Sequence, residues 1–179
     1  MNSSTGQRFT LQEGLCIAFC ATFVVIARAA LRLHLNIPGH AMFFTIFFIM
    51  LGRGCVARFG AATLVGLVAG FVCMLLGMGK GGPLMILKFA LPGLVVDLAA
   101  AFHPALFSSL LWSVVTGALA SATRFGTVAL VDGLMGMDKT VVLQHALLSA
   151  SFSMLFGALG AAMVPAVVRR LKVSGLIAR

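Results

Sequence analysis

The sequence predicts an all-α polytopic membrane protein: a six-helix transmembrane bundle with both termini in the cytoplasm. Of its 179 residues, 61% are hydrophobic and 9% are charged, whereas an ordinary soluble domain is about 25% charged. The mean hydropathy is +1.12. Apolar runs long enough to cross a hydrocarbon core about 30 Å thick recur along the whole chain. This composition excludes a secreted disulfide scaffold, a cytosolic enzyme and a disordered chain.

Six apolar segments follow one another as a single integral membrane domain over residues 1–179. The first ends where Asn36, Pro38 and Gly39 break the helix. A glycine-rich loop over 77–82 separates the third from the fourth, and Pro83 opens the fourth, a favoured position for proline. A polar connector over 124–140 precedes the last. The predicted spans cover about 15–33, 40–56, 59–78, 83–101, 104–122 and 141–168.

The formal net charge of +9 arises from basic residues that are scattered singly between apolar runs. This scatter favours a topology signal and attraction to anionic lipid over nucleic-acid binding. With both termini inside, the inner segments carry seven Lys and Arg residues and the outer segments five. We therefore expect a multi-pass protein of the cell membrane, in contact with lipid and without a nucleic-acid partner.

The residues predict no catalytic centre, metal site or cofactor, and the protein is not expected to be an enzyme. HExxH and GxSxG motifs are absent, and the four carboxylates do not have metal-ligand spacing on one helix. The cysteines read as small packing residues in or beside apolar runs. No ATP-binding motif is present, so energy for transport would come from a partner or an ion gradient.

Polar residues crowd the predicted outer end, which fits either a pocket open to the outside or loops that meet water. Lys88 lies about 7–8 Å down the fourth span at 1.5 Å per residue. It could snorkel to the interface or face an internal cavity. Asp97 falls on roughly the opposite face of that helix and is expected to anchor to another helix, or to Arg53 or Arg58. The outer-end polar residues are His34, Asn36, His40, Lys80, Lys88, Arg124, Gln144 and His145.

Small residues at four-residue spacing form stripes on several predicted spans. Such stripes let helix backbones approach closely in lipid. Each stripe could pack inside the bundle or face a separate subunit. The stripes are Gly14, Ala18 and Thr22 in the first span; Ala62, Gly66 and Gly70 in the third; Ala105 to Ser121 in the fifth; and Ser149 to Ala161 in the sixth.

The chain resembles the substrate-binding S component of an energy-coupling factor (ECF) transporter. The local likeness is strongest over Gly79–Leu98, "GKGGPLMILKFALPGLVVDL". It is similar to the loop and fourth helix of S components: a glycine loop, Gly-Pro, an apolar run, then small residues and an acid. The stripe of Gly14, Ala18 and Thr22 resembles the first-helix face by which S components dock on a shared module, although the strict alanine pattern is missing.

The resemblance implies binding of a vitamin, a vitamin precursor or a related micronutrient in the outer half of the bundle. It also implies partners, namely a transmembrane T component and two cytoplasmic ABC ATPases. Binding would then involve the following residues, with Trp112 as a stacking surface: His40, Lys80, Lys88, Trp112, Arg124 and His145.

Other functions remain open on the sequence. An ion-gradient-driven secondary transporter would favour an inverted repeat and broken helices, and the two halves show no convincing repeat. An intramembrane enzyme or redox protein would need paired cysteines or clustered histidines and acids. A membrane subunit with only a structural role would not need charged side chains deep within its membrane-spanning helices.

Overall fold

A computed structural model describes residues 10–34, 40–78, 82–134, 136 and 138–174. Within these residues the chain is all-helical, with six α-helices and one short 3₁₀ helix, Pro104–Phe107. The prediction of an all-α fold is confirmed. The α-helices are α1 Leu11–His34, α2 Ala41–Cys55, α3 Ala61–Leu75, α4 Leu84–Phe102, α5 Leu110–Leu134 and α6 Lys139–Val173.

Four of these helices, α1, α4, α5 and α6, are long and apolar enough to cross a membrane, counting only the described part of the chain. The other two, α2 and α3, are apolar but have 15 residues each, a length of about 22 Å at 1.5 Å per residue. The protein is therefore a membrane protein by the length and composition of its helices.

Successive α-helices run in opposite directions, so each end of the bundle holds the first turns of some helices and the last turns of the others. We call the end at which α1, α3 and α5 begin the proximal end, and the opposite end the distal end. An ion pair between Arg58 and Glu13, at 2.9 Å, joins the α2–α3 turn to the start of α1 at the proximal end. Val168 of α6 lies against Gly54 of α2 there as well. The distal end accordingly holds the C-terminal turns of α1, α3 and α5 and the N-terminal turns of α2, α4 and α6.

Glycines bring two antiparallel helix pairs into backbone contact, and these pairs, α3 with α4 and α5 with α6, are the most extensively packed. A Cβ at Gly93 would lie 2.6 Å from the carbonyl oxygen of Ala62, and one at Gly117 would collide with Ala161. Because lipid provides no hydrophobic force between helices, such close approach is the main source of their attraction.

The small-residue stripes divide into internal and external ones. Those of α3 and α6 are buried, and so are the described members Ser113, Gly117 and Ser121 in α5. Gly14, Ala18 and Thr22 of α1 are exposed instead. A Cβ at Gly14 would meet nothing within 4 Å. The first-helix stripe therefore lies on the outer surface of the bundle.

A buried carboxylate fastens three helices at the proximal end. Asp97 of α4 is fully buried and accepts hydrogen bonds from the Thr63 backbone N–H (2.8 Å), the Thr63 hydroxyl (2.7 Å) and the Ala62 N–H (3.3 Å). These donors lie in the first turn of α3, whose preceding residue, Gly60, offers no capping side chain. Asp97 Oδ1 also lies 3.0 Å from Arg53 Nε of α2. The expected partnership of Asp97 with Arg53 is confirmed, whereas Arg58 pairs with Glu13.

The fifth helix differs from its predicted boundaries of 104–122. Pro104 begins a 3₁₀ turn, and α5 itself starts at Leu110. The helix then continues to Leu134, through the first part of the predicted connector. Helicity persists there because the polar side chains find partners across the bundle, as in the 2.9 Å hydrogen bond from Arg124 Nε to Ser149 Oγ of α6. Arg124 is thus a helical residue facing α6.

Candidate cationic binding site

A small cavity lies among α1, α2, α4 and α5 in the distal half of the bundle. Its volume is ≈ 40 Å³. Lys88 and Arg124, which the sequence analysis selected, both line it, together with Arg28 of α1. Three cations from three helices therefore converge on one space. The other lining residues are Met42, Thr45, Phe89, Thr127 and Val128.

Two of the three cations are held by specific contacts. The guanidinium carbon of Arg28 lies 4.7 Å from the centre of the Phe89 ring, a cation–π geometry. The Phe89 side chain is buried, and Phe89 lies one helical turn before Gly93, where α4 packs closely against α3. The ring is therefore held in a fixed position. Arg124 is oriented by its hydrogen bond to Ser149. Both contacts fix the position of the cation beside the cavity.

The charge balance at the cavity is strongly positive. Two unit charges about 8 Å apart repel by about 2 kcal/mol at an effective dielectric of 20. Among the described residues, Asp132 is the carboxylate whose charge attracts Lys88, against repulsion from Arg28 and Arg124. Asp132 Oδ2 is also 2.7 Å from His145 Nδ1. A cluster of this kind gains stability from an anion that enters the cavity.

The cavity is suited to binding and offers little for catalysis. None of its described lining residues is a carboxylate, histidine or cysteine that could act as an acid, base or nucleophile. The hydroxyls of Thr45 and Thr127 each donate to a carbonyl of their own helix, those of Ala41 and Arg124. No group of His, Cys, Asp and Glu suited to a metal ion occurs within the described residues. The charged groups among the described lining residues are the three cationic side chains.

Of the other predicted site residues, two lie towards the distal end. His145 of α6 is one helical turn before Ser149, and its side chain is mostly exposed where it meets Asp132. His40 is half-buried in the turn that opens α2, two residues before Met42 of the cavity wall. Lys80 lies outside the described residues.

Trp112 is placed apart from the cavity. It lies in the first turn of α5, at the proximal end, and its ring stacks on His103 with centroids 4.0 Å apart. Twelve residues separate Trp112 from Arg124, a distance of about 18 Å along the helix. The structure therefore does not bring Trp112 together with the cations, and a role for it in binding stays a prediction.

Arg28 is the residue that the sequence reasoning missed. It interrupts the apolar run of the predicted first span and was not included among the binding residues, whereas it lies inside α1, six residues before the end of that helix. The signal was available, since an arginine within an apolar run is as costly in lipid as Lys88 is. What the sequence did not reveal is that helix α1 turns Arg28 towards α4, over Phe89.

No family model, curated protein or solved structure matches the chain. The membrane-helical fold and the cationic cavity therefore carry the functional argument.

Proposed function

We propose that this chain is the substrate-binding S component of an ECF-type importer and that it takes up an anionic vitamin, vitamin precursor or related micronutrient. One observation carries the proposal: Arg28, Lys88 and Arg124, from three helices, surround one cavity within an apolar helical bundle. Intramembrane cations are costly and mark ligand or ion pathways. A carboxylate or phosphate on the ligand would neutralise them.

The size of the cavity limits what it can hold. Sites for drug-sized ligands occupy about 300–1,000 Å³, whereas this cavity has ≈ 40 Å³, about the space of one small anionic group. In our proposal the anionic group of the ligand lies among the three cations. The rest of the ligand extends to the distal end, towards His40.

Energy for uptake is proposed to come from partners, namely a transmembrane T component and two cytoplasmic ABC ATPases. The sequence contains no ATP-binding motif. The exposed stripe of Gly14, Ala18 and Thr22 supports a docking role for α1, because its small side chains leave that face open to a closely packed helix. The buried stripes of the other helices are already occupied by internal packing.

The proposed topology has six spans and both termini in the cytoplasm, with the proximal end inside. In this arrangement α2 and α3 cross the membrane as short helices, and local thinning or the adjoining turns cover the difference. Basic residues at the proximal end follow the positive-inside tendency. They are Arg53, Arg58, Arg169, Arg170 and Lys172.

Two measurements test the function. The tagged full chain, purified from its native membrane in mild detergent, is expected to bring ABC ATPases with it in stoichiometric amount. The purified chain alone, in proteoliposomes with an ion gradient, is expected not to accumulate the anionic ligand that the first preparation contains. Transport by the chain alone would identify an ion-gradient-driven secondary transporter and contradict the proposal.

A further inference from the structure

A second, larger cleft lies at the proximal end, on the opposite side of the molecule from the cationic cavity. Its volume is ≈ 1060 Å³. It is bounded by the end of α2, the end of α4, the 3₁₀ helix and the last turns of α6. Its lining includes cationic and apolar side chains, namely Arg53, Phe107, Pro165, Val168, Arg169 and Lys172.

The cleft carries positive charge that the side-chain carboxylates do not neutralise. Arg53 is compensated by Asp97, but Arg169 and Lys172 are exposed on the last turns of α6. The chain has four Asp and Glu residues. In the described structure two of them have partners away from the cleft, one lies against Arg53, and the fourth precedes the start of α6. Glu13 pairs with Arg58, Asp97 with Arg53 and Asp132 with His145, and Asp138 immediately precedes Lys139, the first residue of α6.

The other walls of the cleft are apolar and lie at the depth of the lipid headgroups. Phe107, Pro165 and Val168 face the same space as Arg169 and Lys172. Helix α6 has 35 residues, about 52 Å at 1.5 Å per residue, whereas the hydrocarbon core is about 30 Å thick. The first two turns of α6 contain Lys139, Gln144 and His145, so its apolar part begins near Ala146. About 20 residues from there cross the core, which places the last turns, with Arg169 and Lys172, at the headgroup layer.

We propose that this cleft is a binding site for an anionic phospholipid. Its phosphate contacts Arg169 and Lys172, and its glycerol backbone and upper acyl chain lie along Phe107, Pro165 and Val168. Basic pockets between membrane helices are suited to such headgroups. The inference requires only that the chain lies in a membrane, so it is independent of the proposed transport function.

The pairing of apolar walls with cations favours a lipid over a soluble anion. A free phosphate would use the two cations and leave the half-buried Phe107 and Pro165 uncovered. An acidic peptide would have to compete with lipid, which surrounds this end of α6 at high local concentration. A phospholipid satisfies both kinds of wall at once.

The test uses the full-length protein in mild detergent and counts bound lipid by native mass spectrometry. Phosphatidylglycerol and phosphatidylcholine with the same acyl chains are compared at equal concentrations. Phosphatidylglycerol is expected to bind more tightly. Each cation that contacts the anionic headgroup in the cleft is expected to contribute roughly a fivefold gain in affinity. Arg169→Gln/Lys172→Gln is therefore expected to weaken phosphatidylglycerol binding about 30-fold and to leave phosphatidylcholine binding unchanged.

A neighbouring arginine provides the matched control. Arg170 is also exposed on α6 but does not line the cleft. Arg169→Gln is expected to lower phosphatidylglycerol affinity about fivefold and Arg170→Gln less than twofold. All these side chains are exposed, so the variants are expected to unfold at the wild-type temperature.

Three results would overturn the proposal. Equal binding of the two lipids would show that the cleft does not select anionic headgroups. Equal losses in the Arg169 and Arg170 variants would mean that diffuse surface charge, not the cleft, attracts the lipid. Displacement of phosphatidylglycerol by glycerol phosphate, or by an acidic peptide, at equal molar concentration would show a soluble anion or a protein segment to be the better occupant.

Discussion

Removal of the Asp97 carboxylate is expected to be among the most damaging single substitutions in the protein. The side chain is fully buried and lies 3.0 Å from Arg53, which is itself 10% exposed. Loss of one partner of a buried ion pair costs about 3–5 kcal/mol, because the other charge stays behind uncompensated. Asp97→Ala also leaves three donors at the start of α3 without their acceptor.

These contributions overlap and do not add, so we expect Asp97→Ala to lower the free energy of unfolding by about 4 kcal/mol. Unfolding is titrated with SDS in mixed micelles and followed by circular dichroism and by the fluorescence of Trp112, the chain's one tryptophan. Arg53→Met/Asp97→Ala is expected to regain about 2 kcal/mol relative to Asp97→Ala, since no charge is then stranded.

Asp138 supplies the control carboxylate. It precedes α6, is exposed and makes no capping hydrogen bond from its side chain. Asp138→Asn is expected to change stability by less than about 0.5 kcal/mol. Two results would refute the account that Asp97 joins α2, α3 and α4. The first is a free energy of unfolding of Asp97→Ala within about 1 kcal/mol of wild type. The second is a double variant that is no more stable than Asp97→Ala.

Three further predictions concern docking, topology and packing. Ala18→Leu is expected to reduce co-purification of the transmembrane and ATPase subunits while monomer yield holds, and undiminished co-purification would remove the exposed face of α1 from the interface. Cysteines placed at Lys80 and Arg170 are expected to label from opposite sides of the membrane, and labelling from one side would exclude the six-span topology. Gly93→Ala is expected to lower the free energy of unfolding by about 1–3 kcal/mol because its Cβ would meet the α3 backbone. Gly126→Ala is expected to be neutral or stabilising because the space around Gly126 is open. Equal losses of unfolding free energy in the two variants, measured by SDS titration, would contradict the close packing of α4 on α3 at Gly93.

Hydropathy was enough to predict the membrane-helical fold, because burial in lipid requires apolar runs closed by turn residues. The six helices lie near the six predicted spans, and the break at His103-Pro104 and the glycine-rich loop after the third span both separate helices. The extent of α5 was beyond this reasoning. Arg124 looked like the start of a connector, and its place in a helix depends on Ser149, 25 residues away in sequence.

The candidate site was only partly predictable, because hydropathy does not fix how each helix is rotated about its axis. The predicted position of Lys88 and Arg124 at the outer end of the bundle selected both residues, and both line the cavity. The predicted binding set also included Trp112, although α5 carries it to the other end of the bundle. Arg28 lines the cavity because α1 is rotated so that this residue faces Phe89 of α4. The sequence of α1 alone does not reveal that rotation.

The most direct test of the central claim is a native mass spectrum of the protein purified from its own membrane in mild detergent. We predict a co-purified small molecule that carries a carboxylate or phosphate. Lys88→Met removes a cation of the cavity, and loss of one charge-assisted hydrogen bond is expected to weaken retention roughly ten- to hundredfold. Lys139→Met removes an exposed lysine at the same end of the bundle and is expected to retain the ligand. An anionic ligand held equally by wild type and both variants, or a preparation with no such ligand, would contradict a substrate site among Arg28, Lys88 and Arg124.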